Sequence, residues 1–203
     1  MYPAVFDIPR VERSSRLILL LRPLLLLPFL PWGILYTLAM TAVHFIAWFA
    51  ILFTGRHPHV LWDFLEGYFR FMATLSSYTL LLTDKYPPFV PGSAERPALR
   101  IRIDHPERVS RAGTLFRPLL LAPHFFFAVG YGAVFCVLFG ITWWTVLLLG
   151  RMTDWQYRWL VSFFIYNARI RAYSLLLVDE YPPFNGAQPR AALEKFSPAF
   201  DEA

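Results

Sequence analysis

Polar and apolar positions fall into blocks along this chain, and the same blocks come round twice. A basic opening through Arg16 leads into a charge-free run, Pro23 to Gly55. A mixed segment follows from Arg56 to Ser77, and the block closes with Asp84-Lys85-Tyr86-Pro87-Pro88-Phe89. Ninety-five positions on, Arg22-Pro23-Leu24-Leu25-Leu26 becomes Arg117-Pro118-Leu119-Leu120-Leu121. Gly55-Arg56 becomes Gly150-Arg151, and the closing motif returns as Asp179-Glu180-Tyr181-Pro182-Pro183-Phe184. Residues 5–89 align with 100–184 without a gap, with 30 identities in 85 pairs. A repeat at fixed offset constrains the architecture before any local reading. It divides the chain into a first repeat (1–89), a linker (90–99), a second repeat (100–184) and a polar tail (185–203).

The blocks predict elements. Leu99–Asp104 alternates with period two, a short strand signal. Glu12 and Arg16, like Glu107 and Arg111, stand four apart in the order that supports a helix, so helices are expected to begin near Glu12 and Glu107. Each charge-free run is 33 residues long. As one helix it would measure about 50 Å, against a hydrocarbon thickness of about 30 Å. Pro23, Pro28 and Pro31 in one copy, and Pro118 and Pro123 in the other, are expected to break it. The spans are then Trp32–Phe53 and Phe127–Leu149, stopped by Gly55 and Gly150. The following segments are amphipathic. His59, Asp63, Glu66, Arg70, Thr74 and Ser77 form one stripe; Arg151, Asp154, Arg158, Ser162 and Arg169 form its counterpart, with Asn167 and Arg171 alongside. Such helices either span or lie in the interface. The expected fold is an all-α integral membrane protein of two tandem helical-hairpin repeats, with about four embedded helices and short interfacial ones.

Composition agrees with a membrane chain: 57% of residues are hydrophobic and 16% charged, against about 25% charged in soluble domains. The net charge of +5 does not point to nucleic acid, because the basic residues are scattered or flank apolar runs. They cluster before, between and after the repeats. The positive-inside rule therefore places both termini and the linker in the cytoplasm. This implies an even number of crossings per copy, and parallel copies about an axis along the membrane normal. Hairpins that never fully cross are the alternative. Arg22, Arg56, Arg117 and Arg151, with Tyr86, Phe89, Tyr181 and Phe184, are expected as interfacial anchors. The lone Cys136 allows no disulfide framework.

Candidate chemistry is sparse. No nucleophile set, phosphate loop or metal-spaced cluster occurs, so neither an enzyme nor a metal or cofactor is expected. His57 and His59 flank Pro58 in a loop. His44 lies mid-span opposite Phe139 of the other copy; an imidazole there needs a partner, either another helix or, less simply, a tetrapyrrole. Asp63, Glu66 and Arg70, with Arg158, Arg169 and Arg171, form a candidate polar interface in which Asp63 and Glu66 pair with Arg158 and Arg169. The expected function is a non-catalytic membrane subunit that organises or stabilises a larger assembly, in contact with lipids and other integral membrane proteins. The alternative is a small transporter or lipid-handling protein using that charged groove.

The Glu-Arg-x-Ser-Arg opening, the proline-bearing apolar run, Ala47-Trp48-Phe49-Ala50-Ile51-Leu52-Phe53-Thr54-Gly55-Arg56, and the Tyr-x-Leu-Leu-Leu-x-Asp-x-Tyr-Pro-Pro-Phe close together resemble a bacterial membrane family, the domain of unknown function 4389. The resemblance covers nearly the whole chain, twice. The second copy departs at Ile141-Thr142-Trp143-Trp144-Thr145 and lacks the Thr before Gly150. It implies a bacterial inner-membrane protein and carries no activity.

Overall fold

The computed structural model describes residues 2–11, 14–89, 99–106 and 108–188. The chain is mostly helical. Its elements run β1 (Ala4–Asp7), α1 (Arg16–Leu26), α2 (Phe29–Thr54), α3 (His59–Thr79), β2 (Arg100–Ile103), α4 (Arg111–Leu149) and α5 (Asp154–Ser174). Two of them, α2 and α4, are long and apolar enough to cross a membrane.

Serines, not glutamates, open the leading helices. The Ser15 and Ser110 hydroxyls accept from the backbone N–H groups of Ile18 and Gly113, satisfying donors that a helix start leaves free. Glu12 and Glu107 lie outside the described residues. Gly55 and Gly150 end α2 and α4 at φ 71° and 70°, the left-handed conformation that glycine adopts without penalty. The prolines act differently in the two copies. Pro28 and Pro31 remove two backbone donors within one turn, and the chain turns between α1 and α2. The second copy has Phe126 where the first has Pro31, and α4 continues through Pro118 and Pro123 for 39 residues. The break expected there does not occur, because two isolated lost hydrogen bonds do not end a helix held by its neighbours.

The strand expected at Leu99–Asp104 finds its partner at the start of the chain, so the fold is helical with one two-stranded ribbon. β1 and β2 pair antiparallel, with Phe6 opposite Ile101. These two residues are also 95 apart, so the local twofold axis of the ribbon relates the two copies, and it stands normal to the ribbon. The Phe6 ring lies on it, 6.2 Å from Phe69 and 6.1 Å from that residue's counterpart, Phe164. Ser76 and Arg171, another equivalent pair, meet at 3.0 Å.

Equivalent helices run head to tail about this axis. Trp62, at the start of α3, donates to the carbonyl of Leu177, just past the end of α5. The end of α2 lies beside the start of α4: Val109 N–H donates to Gly55 O, and Trp48 Nε1 to Thr114 O. This differs from the parallel packing that the charge pattern suggests. The leading arms are exchanged. Ser14 N–H and Arg16 Nη2 donate to the carbonyls of Gly150 and Leu148 at the end of α4, as Val109 does for α2. Each copy thus caps the other's long helix.

The core lies between the ribbon and α3 and α5. Ala4, Phe6, Ile101 and Ile103 are buried against Leu65, Phe69, Leu160 and Phe164. At one corner the copies differ in chemistry. Arg10 and Asp154 form an ion pair at 2.6 Å, with Arg10 over the Tyr157 ring. The equivalent residues in the other copy are His105, which stacks on His59 at 4.1 Å and meets Trp62 edge-on. His57 lies beneath, 3% exposed, its Nε2 buried without a hydrogen-bond partner. Burial pushes the His57 imidazole down to about 4; the Pro58 carbonyl opposes this, while His105, His44 and Arg117 reinforce it. Burial and His59 also lower His105, against the pull of Asp63.

Above pH ~6.5 the His57 imidazole is neutral in both folded and unfolded chains. Below that the unfolded chain gains a proton that the folded one refuses until pH reaches about 4. Stability therefore falls across this window, by about 2 kcal/mol at pH 5 from His57 alone, and levels off below it. Thermal unfolding in detergent at pH 7.5 and pH 5 is expected to show this drop. His57→Met, which copies the Met152 of the other repeat, removes most of it.

Candidate functional site

Two buried clamps, one per copy, are built from residues that are far apart in sequence. Arg22 and Arg117 are 4% and 3% exposed. Each reaches the end of its copy's second helix. Arg22 donates to the Tyr78 carbonyl and, at 2.7 Å, to Asp84 Oδ1. Arg117 donates to the Tyr173 carbonyl, to Val178 O at 3.0 Å and to Asp179 Oδ1 at 2.9 Å. The guanidinium carbons sit 4.3 and 4.2 Å from the Tyr78 and Tyr173 ring centroids. The second carboxylate oxygens accept from Ser15 N–H and Ser110 N–H at 2.9 and 3.0 Å. Each Asp thus joins the start of its copy's first helix to the turn that closes the second. Each cation also faces the negative end of a helix.

The closing turns have the same geometry in both copies. Leu82 N–H bonds Ser77 O and Leu81 N–H bonds Tyr78 O; Leu177 and Leu176 repeat the pattern on Ala172 and Tyr173. This is a Schellman turn with leucine in the left-handed position, at φ 63° and 64°. That conformation costs about 1–2 kcal/mol in a residue with a Cβ. Burying the side chain returns about 1.5–3 kcal/mol, and Leu81 and Leu176 are 2% and 1% exposed, so leucine is tolerated where glycine is usual.

Arg22 and Arg117 are therefore internal ties, a correction to their expected role as interfacial anchors. A purely local reading sees a lone cation beside an apolar run; the partners, Asp84 and Asp179, lie 62 residues away. Their recurrence at the 95-residue offset is the signal that links them. Arg56 and Arg151 are exposed just past the ends of α2 and α4. Tyr86 and Phe89 pack around Phe29, with Phe89 stacked on it at 4.4 Å. Tyr181 and Phe184 pack likewise around His124, with Phe184 stacked at 4.1 Å. His124, which sequence reasoning passed over, is 1% exposed and meets the Tyr166 hydroxyl at 3.0 Å.

The polar interface is assembled differently from expectation. Glu66 pairs with Arg70 on its own helix at 2.6 Å. Arg169 donates to the carbonyls of Asn185 and Ala187 and lies over the Tyr2 ring. It pins the start of the tail, where the Gln188 amide bonds both backbone groups of Phe6. Asp63 and Arg158 are exposed. The expected pairing of Asp63 and Glu66 with Arg158 and Arg169 does not form: Glu66 has a partner one turn away on its own helix, and Arg169 has backbone carbonyls. Two of the six reach the other copy through hydrogen bonds: Arg171 donates to Ser76, and the Arg169 carbonyl accepts from the Tyr2 hydroxyl at 3.1 Å. Arg171 stands at a cleft of about 380 Å³ lined by Phe135, Phe139, Phe163 and Asn167, apolar with a single cationic side chain. His44 is half-buried on α2, its Nδ1 buried without a hydrogen-bond partner; its counterpart Phe139 lines the cleft. Among the described residues no group of three His, Cys, Asp or Glu side chains is placed to hold a metal ion.

Asp179→Asn strands the Arg117 charge in the interior, and a buried pair broken at one partner typically costs about 3–5 kcal/mol. Unfolding in detergent is expected to show a loss of that order for Asp179→Asn. A smaller loss is expected for the double variant Arg117→Met/Asp179→Asn, which removes the stranded charge.

Residues 16–90 match the model of one family, described as Domain of unknown function (DUF4389). No curated protein and no solved structure matches the chain.

Proposed function

We propose that the chain is a non-catalytic membrane subunit that organises or stabilises a larger membrane protein assembly, with lipids and integral membrane proteins as its neighbours. It is read as two tandem copies of the family unit, hairpins α2–α3 and α4–α5, in a bacterial inner membrane with both termini on the cytoplasmic side. One observation carries this reading. In α2 and in α4, only 11% of the most apolar 18-residue stretch is buried inside the protein. The exposed positions include Ile34, Leu38, Phe45, Phe126, Val137 and Trp144. Apolar surface on this scale needs lipid or a partner to cover it. The buried arginines Arg22, Arg117 and Arg169 are meanwhile tied to carboxylates or backbone carbonyls that hold the fold. The rival transport reading needs a charged groove, but Glu66 is neutralised by Arg70 and Arg169 is bound to backbone carbonyls.

Native membranes solubilised in mild detergent are expected to yield this protein in one larger complex at fixed stoichiometry, recovered equally after chemical cross-linking in intact cells. A single monodisperse species of the chain's own mass under both conditions would overturn the assembly reading.

A further inference from the structure

The long helices are apolar, yet the geometry gives them an orientation that hydropathy does not. We infer that the protein inserts into one leaflet only: its twofold axis stands along the membrane normal, α1, α2 and α4 lie in the plane of the bilayer, and the ribbon faces the aqueous side. The proposal concerns the membrane-facing surface and holds whether or not the chain serves an assembly.

The argument begins with direction. Helices related by a twofold axis run the same way when they lie along it and head to tail when they lie across it. The contacts of Trp62 with Leu177, and of Gly55 and Trp48 with Val109 and Thr114, make the equivalent helices head to tail. The helices therefore lie across the axis. Only two placements remain. If the axis lies in the membrane plane, α2 and α4 cross the bilayer in opposite directions. If it stands along the normal, they lie flat.

The ribbon separates these. Phe6 and Ile101 sit on the axis, so an in-plane axis sets the ribbon at the depth of the bilayer centre. Its charged side chains are open to the surroundings: Asp7 and Arg100 are about one-third exposed, and Arg102 and Asp104 are 54% and 66% exposed. Hydrocarbon does not accept exposed charges at that depth. With the axis along the normal, the same residues face water.

Surface chemistry agrees. Large exposed apolar side chains crowd α1, α2 and α4, whereas α3 and α5 expose only Val60 and Trp155 among those of their own. α2 and α4 have little polar face of their own, so in this placement acyl chains cover their outer surface and α3 and α5 the inner one. α4 also fits this placement, since 39 residues measure about 58 Å, nearly twice the hydrocarbon thickness of about 30 Å. Exposed Arg56 and Arg151 then fringe the inserted face at opposite ends of the molecule, where anionic headgroups lie.

The test uses the full chain in inverted and right-side-out membrane vesicles. Cys136 is first replaced by Ala, and single cysteines are introduced at three exposed sites: Arg56→Cys, Arg151→Cys and Arg102→Cys. Each is probed with a membrane-impermeant maleimide, with labelling after detergent lysis as the measure of folded, accessible protein. One-leaflet insertion predicts that all three react from the same side, at least tenfold more than from the other. Two parallel crossings per copy predict Arg56→Cys and Arg151→Cys on the side opposite Arg102→Cys. Crossings in opposite directions predict that Arg56→Cys and Arg151→Cys react from different sides. Either of the last two patterns overturns the proposal, and neither bears on whether the protein joins a complex.

Discussion

The clamp between a buried arginine and the aspartate before Tyr-Pro-Pro-Phe holds each half of the structure closed. Asp84 and Asp179 each accept from a guanidinium and from the backbone at the start of the same helix, so one carboxylate grips that helix at two points and ties it to the closing turn. A charge so buried is costly unless its partners are complete. Here the carboxylate, a helix-end carbonyl and a tyrosine ring surround it. Remove the clamp and the start of the leading helix loses its tie to the end of its own hairpin. That start belongs to the same piece of chain that caps the other copy's long helix, through Ser14 and Arg16 on one side and Val109 on the other. A local tie thereby becomes a joint between repeats.

The shared frame makes the departures from symmetry informative. Pro31 breaks the first copy into α1 and α2, whereas its counterpart leaves α4 whole. Arg10–Asp154 in one corner becomes a stacked histidine pair in the other. Phe29 and His124 likewise hold equivalent places under the closing aromatics, with apolar packing in one and a hydrogen bond to Tyr166 in the other. The lining of the cleft at Arg171 includes arginine, asparagine and two phenylalanines at the positions equivalent to Ser76, Met72, Met40 and His44.

Burial is inverted relative to a simple hydropathy reading. The more polar helices, α3 and α5, supply much of the protein interior, while the most apolar helices face outward. The proposed membrane setting gives this a physical reason. Lipid solvates leucine and phenylalanine as well as another helix does, so in that setting apolar content does not drive α2 and α4 inward. The side chains with hydrogen bonds to make gain most from a protein interior.

Much of the frame is legible from residue order alone. The offset of 95 identifies equivalent positions, Gly55 and Gly150 stop helices because glycine alone is free at positive φ, and alternation at Leu99–Asp104 marks a strand. These features depend on neighbours in sequence. The partner of that strand, the aspartates that bury Arg22 and Arg117, and the short-range partners that took Glu66 and Arg169 depend on segments brought together from far along the chain. Helical periodicity says which side chains share a face, but not what the face meets. The 95-residue offset pairs positions along the chain; only the tertiary contacts set the paired helices head to tail, because direction about a twofold axis is a property of packing and leaves no mark on the residues themselves.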